Sequence, residues 1–245
     1  AGSITLQDMQ LTIFKDYHAL SQQAAEEIIA LVKHKPDAVL CLASGSTPML
    51  TYRLLAEKAL AQKVDFTRCT FIGLDEWVGI SPENEGSCAL FFRNHVFNHI
   101  NFSASRIALS GNLAQECETM NQVIEKNGGI DLMLAGVGMN GHIGFNEPGA
   151  SFELYSHVTQ LDETTTSVGQ KYFKEATALT RGITLGLKHL LESKKVLLLA
   201  NGNKKAGIIQ KALEGEITDA LPACIIRQHT NSIVMIDEEA AGMLA

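Results

Sequence analysis

The sequence predicts an α/β fold, a single doubly wound, mostly parallel sheet with helices on both of its faces. Short apolar runs alternate with helical patterns from one end of the 245-residue chain to the other, an order that right-handed crossovers turn into a parallel sheet. Several of these runs, such as Val39-Leu40-Cys41-Leu42 and Val196-Leu197-Leu198-Leu199, are apolar at every position. A strand reads this way when helices cover both of its faces. No repeat, low-complexity tract or Pro/Ser-rich linker interrupts the pattern, so residues 4–245 are expected to form one domain, with Ala1-Gly2-Ser3 set aside as a remnant.

In chain order, strands are expected at 37–43, 69–74, 130–137, 179–185, 195–200 and 232–236. Helices are expected at 21–34, 48–60, 87–99, 115–127, 186–192 and 204–214. Ligands of doubly wound sheets sit beyond the carboxyl ends of the strands, so the chemistry should cluster just after them. The segment 151–178, rich in Ser, Thr and Gly, has the weakest regular pattern. It reads equally as a mobile cover (a lid) over a site or as an ordinary surface excursion.

Composition removes several classes of function. Hydrophobic residues make up 46 % and charged residues 19 %, enough apolar material for a core that needs neither disulfides nor a structural metal. Lys and Arg number 20 against 27 Asp and Glu, for a net charge of −7, and no run of Lys or Arg exceeds two, so no nucleic-acid partner is expected. No apolar stretch approaches the ~18–20 residues that span a bilayer, and the N-terminus lacks the order of a signal peptide. Five scattered cysteines without a CxxC pair suit free thiols in a reducing, cytoplasmic setting.

The loop Ser44-Gly45-Ser46-Thr47-Pro48 follows the first predicted strand and opens a helix, with Thr47 as the expected N-cap and Pro48 as the first helical residue. Its free N–H groups, the positive end of the helix dipole and three hydroxyls favour an anion. No Gly-Lys-Ser/Thr follows, so this is not a Walker loop for a nucleoside triphosphate. The turn Asn201-Gly202-Asn203-Lys204-Lys205 also leaves a strand for a helix. Cations are disfavoured at a helix N-terminus, and two lysines there make sense if one neutralises a phosphate at the same sheet edge, with Lys205 preferred.

Five of the 20 glycines fall within residues 136–149. A formal GxGxxG is present, but Gly144, Asn146 and Pro148 interrupt the helix that a dinucleotide site requires. The loop offers instead Asn140, His142 and Glu147, a carboxamide, an imidazole and a carboxylate able to act as acid–base and orienter. Asp75-Glu76 ends the second long strand. Adjacent strand residues point to opposite faces, so one acid is expected to face the site, and Asp75 is the candidate general base. His95 and His99 have i, i+4 spacing without an intervening acid on a core-like helix, so no metal site is expected.

At these residues the chain resembles the hexosamine-6-phosphate deaminases. The resemblance rests on Ser44-Gly45-Ser46-Thr47-Pro48, on Leu74-Asp75-Glu76-Trp77-Val78-Gly79 and on Gly141-His142-Ile143-Gly144-Phe145-Asn146-Glu147-Pro148, and it spans nearly the whole chain in the same order. It implies a Rossmann-like α/β fold and conversion of an amino-sugar 6-phosphate and water to a ketose 6-phosphate and ammonia, with no cofactor. By resemblance, Ser44, Gly45, Ser46 and Thr47 cradle the substrate phosphate with Lys205. A second cation comes from Lys171, with Arg181 as the alternative. Asp75 moves a proton between C2 and C1, and His142, oriented by Glu147, opens the ring. Asn140 stands where glucosamine-6-phosphate deaminases usually carry Asp, and Trp77 where they carry Tyr. Both, with Thr180-Arg181-Gly182-Ile183-Thr184-Leu185-Gly186, resemble galactosamine-6-phosphate deaminase/isomerases more closely, so galactosamine 6-phosphate is the expected substrate and tagatose 6-phosphate the product, with glucosamine 6-phosphate to fructose 6-phosphate as the alternative. His157 and Thr159 stand where the allosteric enzymes of the family place basic residues, so no such activation is expected, and a monomer or small homo-oligomer is. The related 6-phosphogluconolactonases are the enzymatic alternative, disfavoured by the Ile143–Pro148 sequence. A non-catalytic sugar-phosphate sensor is the alternative from another class, which Asn140 alone supports.

Overall fold

The computed structural model describes residues 2–6, 9–106 and 112–245, so positions 7–8 and 107–111 of the expected domain lie outside the described residues. Strands β1 (Gly2–Leu6), β2 (Met9–Phe14), β3 (Val39–Leu42), β4 (Thr70–Gly73), β6 (Ala104–Arg106), β7 (Leu132–Gly136), β10 (Val196–Ala200) and β11 (Ser232–Asp237) form one sheet in the order β1-β2-β11-β10-β7-β3-β4-β6. Every pairing is parallel except that of β1 with β2. A second sheet, β5 (Asp75–Trp77), β9 (Arg181–Thr184) and β8 (His157–Gln160), is antiparallel.

The double winding is visible residue by residue. Val39 and Cys41 of β3, with Val196, Leu198 and Ala200 of β10, enter the core on one face. Leu40, Leu42, Leu197 and Leu199 enter the core on the other. The second of these cores is closed by α1 (Tyr17–His34) and α2 (Ser46–Ala61), and by α3 (Cys88–Phe92) with its π-helical continuation Arg93–Phe97. The first is closed by α4 (Leu113–Lys126), α6 (Leu187–Glu192), α7 (Ala206–Glu214) and the 3-10 turn Pro222–Gln228. Such two-sided burial is why the predicted strands read as unbroken apolar runs.

Several expectations are corrected. The run at 179–185 is not a strand of the parallel sheet; its residues Arg181–Thr184 pair antiparallel with β5 and β8. Asp75 and Glu76 do not end β4. The chain leaves the main sheet after Gly73 and re-enters extended pairing as β5 against β9. Helix α1 starts earlier than expected, at Tyr17, because Asp16 caps it by accepting from the Ala19 N–H at 2.8 Å. The N-cap of α2 is Gly45 rather than Thr47. Residues 151–178 carry β8, α5 (Glu163–Gly169) and a 3-10 turn, Gln170–Tyr172.

The winding also places the site. From β3 the chain crosses through α2 to β4 on one side, whereas β7, reached later, lies on the other side of β3. The loops after β3 and β7 therefore separate, and a crevice opens at the carboxyl ends of the strands.

Candidate active site

A cavity of about 230 Å³ occupies this crevice. It is lined by the turn after β3, by β5, by the loop after β7, by α5 and the turn that follows it, and by Lys205.

Two helices enter the crevice by their N-termini and are finished differently. The first-turn N–H groups of α3 are taken up internally: the Glu76 carboxylate accepts from Cys88 (3.0 Å) and Ala89 (2.9 Å), and the Ser87 hydroxyl accepts from Leu90 (3.0 Å). Helix α2 has no side-chain cap, so its positive end faces the cavity through Ser44, Gly45, Ser46 and Thr47 and retains donors for an anion. Gly45 has φ 110°, a left-handed conformation that favours glycine. The Tyr17 hydroxyl braces the turn, donating to the carbonyls of Ser46 (2.9 Å) and Thr47 (2.7 Å).

Lys205 comes to the same edge from the 3-10 turn Asn203–Lys205 and donates to the carbonyl of Val137. Its turn is anchored from β11, where Asp237 accepts from the Gly202 N–H at 3.0 Å. Burial, and then Lys171, pull the Lys205 ammonium down to about 8. Its neighbour Lys204 is exposed and does not line the cavity. Lys171 stands exposed at the rim, 5.0 Å over the Tyr172 ring. Arg181, the alternative cation, is exposed at the start of β9 and does not line the cavity.

The two adjacent acids divide as their alternation requires. Glu76 is buried beneath α3, whereas Asp75 faces the cavity. Desolvation, and then the nearby Glu76 charge, push the Asp75 carboxyl up to about 7. The Cys88 thiol stands 3.8 Å from Asp75 Oδ1 and 3.1 Å from the Ser44 hydroxyl, linking the proposed base to the anion loop.

Opposite them, His142 is held by Glu147. The two meet at 2.6 Å between Nδ1 and Oε1, so Nδ1–H donates to the carboxylate and Nε2 is left for the cavity. Burial raises the Glu147 carboxyl, but hydrogen bonds from His142, the Asp162 N–H and Thr165 outweigh it and leave the group below its ordinary range. A Cβ at Gly138 would lie 2.1 Å from the imidazole, so this glycine is what lets the ring pack close against the backbone. No helix follows the Gly-rich loop, consistent with the rejection of a dinucleotide fingerprint. Asn140 lines the cavity and has its amide engaged on both sides, accepting from the His142 N–H (3.1 Å) and donating to Asp162 (3.0 Å).

The candidates thus lie together, with Arg181 outside and Glu147 behind His142 rather than on the wall. Sequence reasoning missed Cys88, Thr165, Tyr172, Asp162 and Tyr17. Only the Asp-x-x-Thr order at 162–165, after an apolar residue, resembled a helix start that could have flagged two of them. Among the described residues no group of three or more His, Cys, Asp or Glu side chains is placed to hold a metal ion, and no helix is long and apolar enough to cross a membrane.

Known proteins are similar to this chain over almost its entire length. A glucosamine-6-phosphate deaminase of Thermoanaerobacter pseudethanolicus is 38 % identical over 241 residues, covering 96 % of this chain and 95 % of that protein. One from Bacillus pumilus is 40 % identical over 240 residues, covering 96 % and 100 %. A solved structure of a monomeric glucosamine-6-phosphate deaminase superposes with a TM-score of 0.92 at 37 % identity, covering 95 % of this chain and 99 % of that one. The 6-phosphogluconolactonase of Trypanosoma brucei shares the fold, with a TM-score of 0.78 at 18 % identity. The family model described as glucosamine-6-phosphate isomerases/6-phosphogluconolactonase matches residues 15–235, and with relatives this similar along its full length, the chain belongs to that family.

Proposed function

We propose that this chain is an amino-sugar 6-phosphate deaminase/isomerase, converting a 2-amino-2-deoxyhexose 6-phosphate and water to a ketose 6-phosphate and ammonia. One observation carries the reading: an uncapped helix N-terminus with a lysine, a desolvated carboxylate and a carboxylate-held imidazole share one cavity. The deaminases at 37–40 % identity support the reaction class.

The first turn of α2 and Lys205 hold the phosphate, with Lys171 closing from the rim. His142 protonates O5 while O1 loses its proton, opening the pyranose to the aldehyde. Asp75 removes the proton from C2 as O1 is protonated, giving an enaminol. The same proton is returned to C1, which leaves an imine at C2. Water adds at C2, the amino group departs as ammonia, and the ketose remains. Ring opening, hydration at C2 and loss of ammonia each need a proton moved alongside the bond that forms or breaks, and the shift between C2 and C1 is itself a proton transfer, so acid–base side chains of this chain can serve every step. A base at C2 must be ionised yet strongly basic, and a carboxylate titrating near neutrality meets both demands. Residues 151–178 act as the lid over the bound sugar. The protein works on this small molecule in the cytoplasm as a monomer or small homo-oligomer, without nucleic acid or membrane partners.

The galacto epimer is the first substrate to assay, on the strength of Asn140, Trp77 and the run 180–186, while the relatives are named for the gluco epimer. Ammonia release from both epimers tests the proposal. Faster turnover of the gluco sugar would overturn the epimer assignment and leave the reaction class intact. Binding without ammonia would support a sensor, and hydrolysis of 6-phosphogluconolactone in place of deamination would overturn the reaction class.

A further inference from the structure

We infer that Asp162 is a positioning residue for the His142–Glu147 pair, acting through Asn140 on the His142 backbone and through its own N–H on Glu147, so that a second carboxylate ties the cover segment to the catalytic loop. The inference rests on the roles proposed above for His142 and Glu147. Four residues close a ring of hydrogen bonds. His142 Nδ1 meets Glu147 Oε1 at 2.6 Å, and Glu147 Oε2 accepts from the Asp162 backbone N–H. Asp162 Oδ2 accepts from Asn140 Nδ2 at 3.0 Å, and Asn140 Oδ1 accepts from the His142 backbone N–H at 3.1 Å. Thr165 braces the ring from inside, donating to Glu147 Oε1 at 2.9 Å with its hydroxyl 3.0 Å from His142 Nδ1.

Asp162 also caps α5, accepting from the Thr164 N–H at 3.3 Å. Capping alone requires neither a charge nor contact with Asn140, because Asn, Ser or Thr cap as well. Nor does Asp162 line the cavity, so it does not touch the sugar. The side chain at 140 must accept from an N–H and donate to a carboxylate at once, which a carboxamide does and a carboxylate does not. Asn140 and Asp162 are therefore a matched pair. A carboxylate at 140 would face that of Asp162 across a 3.0 Å contact, with both ionised beside Glu147. Hydrogen bonding from Asn140 holds the Asp162 carboxyl below its ordinary range, so Asp162 carries its charge near neutral pH.

A charge-swap cycle tests this. Asp162→Asn keeps a good N-cap and removes the charge, Asn140→Asp sets two carboxylates together, and the double variant exchanges the two groups. Each single variant is expected to lower kcat by about tenfold with KM within about twofold. The double variant should return to within about threefold of the parent, since the amide it carries at position 162 can donate to the carboxylate it carries at position 140. The low-field Nδ1–H proton resonance of His142 is the second readout and needs no turnover. It should move in each single variant and return in the double. A parent enzyme that releases no ammonia would reject the function while this resonance still reports on the ring. Parent kcat and an unmoved resonance in Asp162→Asn, or losses that simply add in the double variant, would overturn the inference.

Discussion

Replacing Asp75 by Asn should make the protein more stable and inactive, and the size of the gain follows from where the carboxylate sits. Its folded value near 7, set by desolvation and then by Glu76, lies about 3 units above that of an unfolded Asp. The folded state therefore binds a proton that the unfolded chain has released between about pH 4 and pH 7, and stability falls as pH rises through that window. A shift of about 3 units corresponds to about 4 kcal/mol of destabilisation once both states are ionised. Asp75 keeps access to the cavity, so solvent screening brings the figure to about 2 kcal/mol. Asn removes this cost. The variant should melt about 4–8 °C above the parent near pH 8.5, with about half that advantage near pH 5.5. Thermal unfolding at the two pH values, beside ammonia release, is the assay. Turnover should vanish in the variant, and in the parent kcat/KM should fall as pH drops below about 7. An advantage that is absent, or the same at both pH values, would refute the desolvated carboxylate. Proton exchange at C2 that persists in Asp75→Asn would refute its role as the base.

Three further outcomes are expected. Phosphate binding should stabilise the charged form of Lys205, which burial and Lys171 hold near 8, so binding of a hexitol 6-phosphate should take up protons near pH 8 and weaken above it. Calorimetry in buffers of different ionisation enthalpy reads this, and Lys205→Met should abolish the uptake and weaken binding by about 100-fold. Gly138→Ala would drive a methyl into the imidazole, whose two nearest atoms lie 2.1 and 2.2 Å from the Cβ position; kcat should fall about 100-fold with inhibitor binding retained. Glu147→Gln removes the carboxylate that sets the His142 tautomer and should lower kcat about 10- to 100-fold, with little change in KM, in steady-state ammonia release.

The parallel sheet was legible because two-sided burial writes itself as continuous apolar runs, as in Val196–Ala200. The edge pairs were not. β2 mixes buried, half-buried and exposed positions and β6 is three residues long, so neither carries that signal. β8, half-buried at its first three positions and exposed at Gln160, is fixed by its pairing with β9, a contact that no local pattern announces. That Ser44–Thr47, Asp75, His142 and Lys205 line one cavity was readable because residue types suited to anion binding and proton transfer stand beside strand ends.

The sequence by itself determined which chemical groups are present and that they fall just beyond strand ends, because strand alternation and turn chemistry are local properties of the chain. Tertiary structure alone decided which acid of the Asp75–Glu76 pair is desolvated in the cavity and which is spent capping α3. It likewise decided that Lys171 rather than Arg181 stands at the rim, and that Asp162 reaches His142 through Asn140. Desolvation and hydrogen bonding between segments depend on what the fold packs against a group, and residues 22 positions apart, such as Asn140 and Asp162, carry no local sign that they will meet.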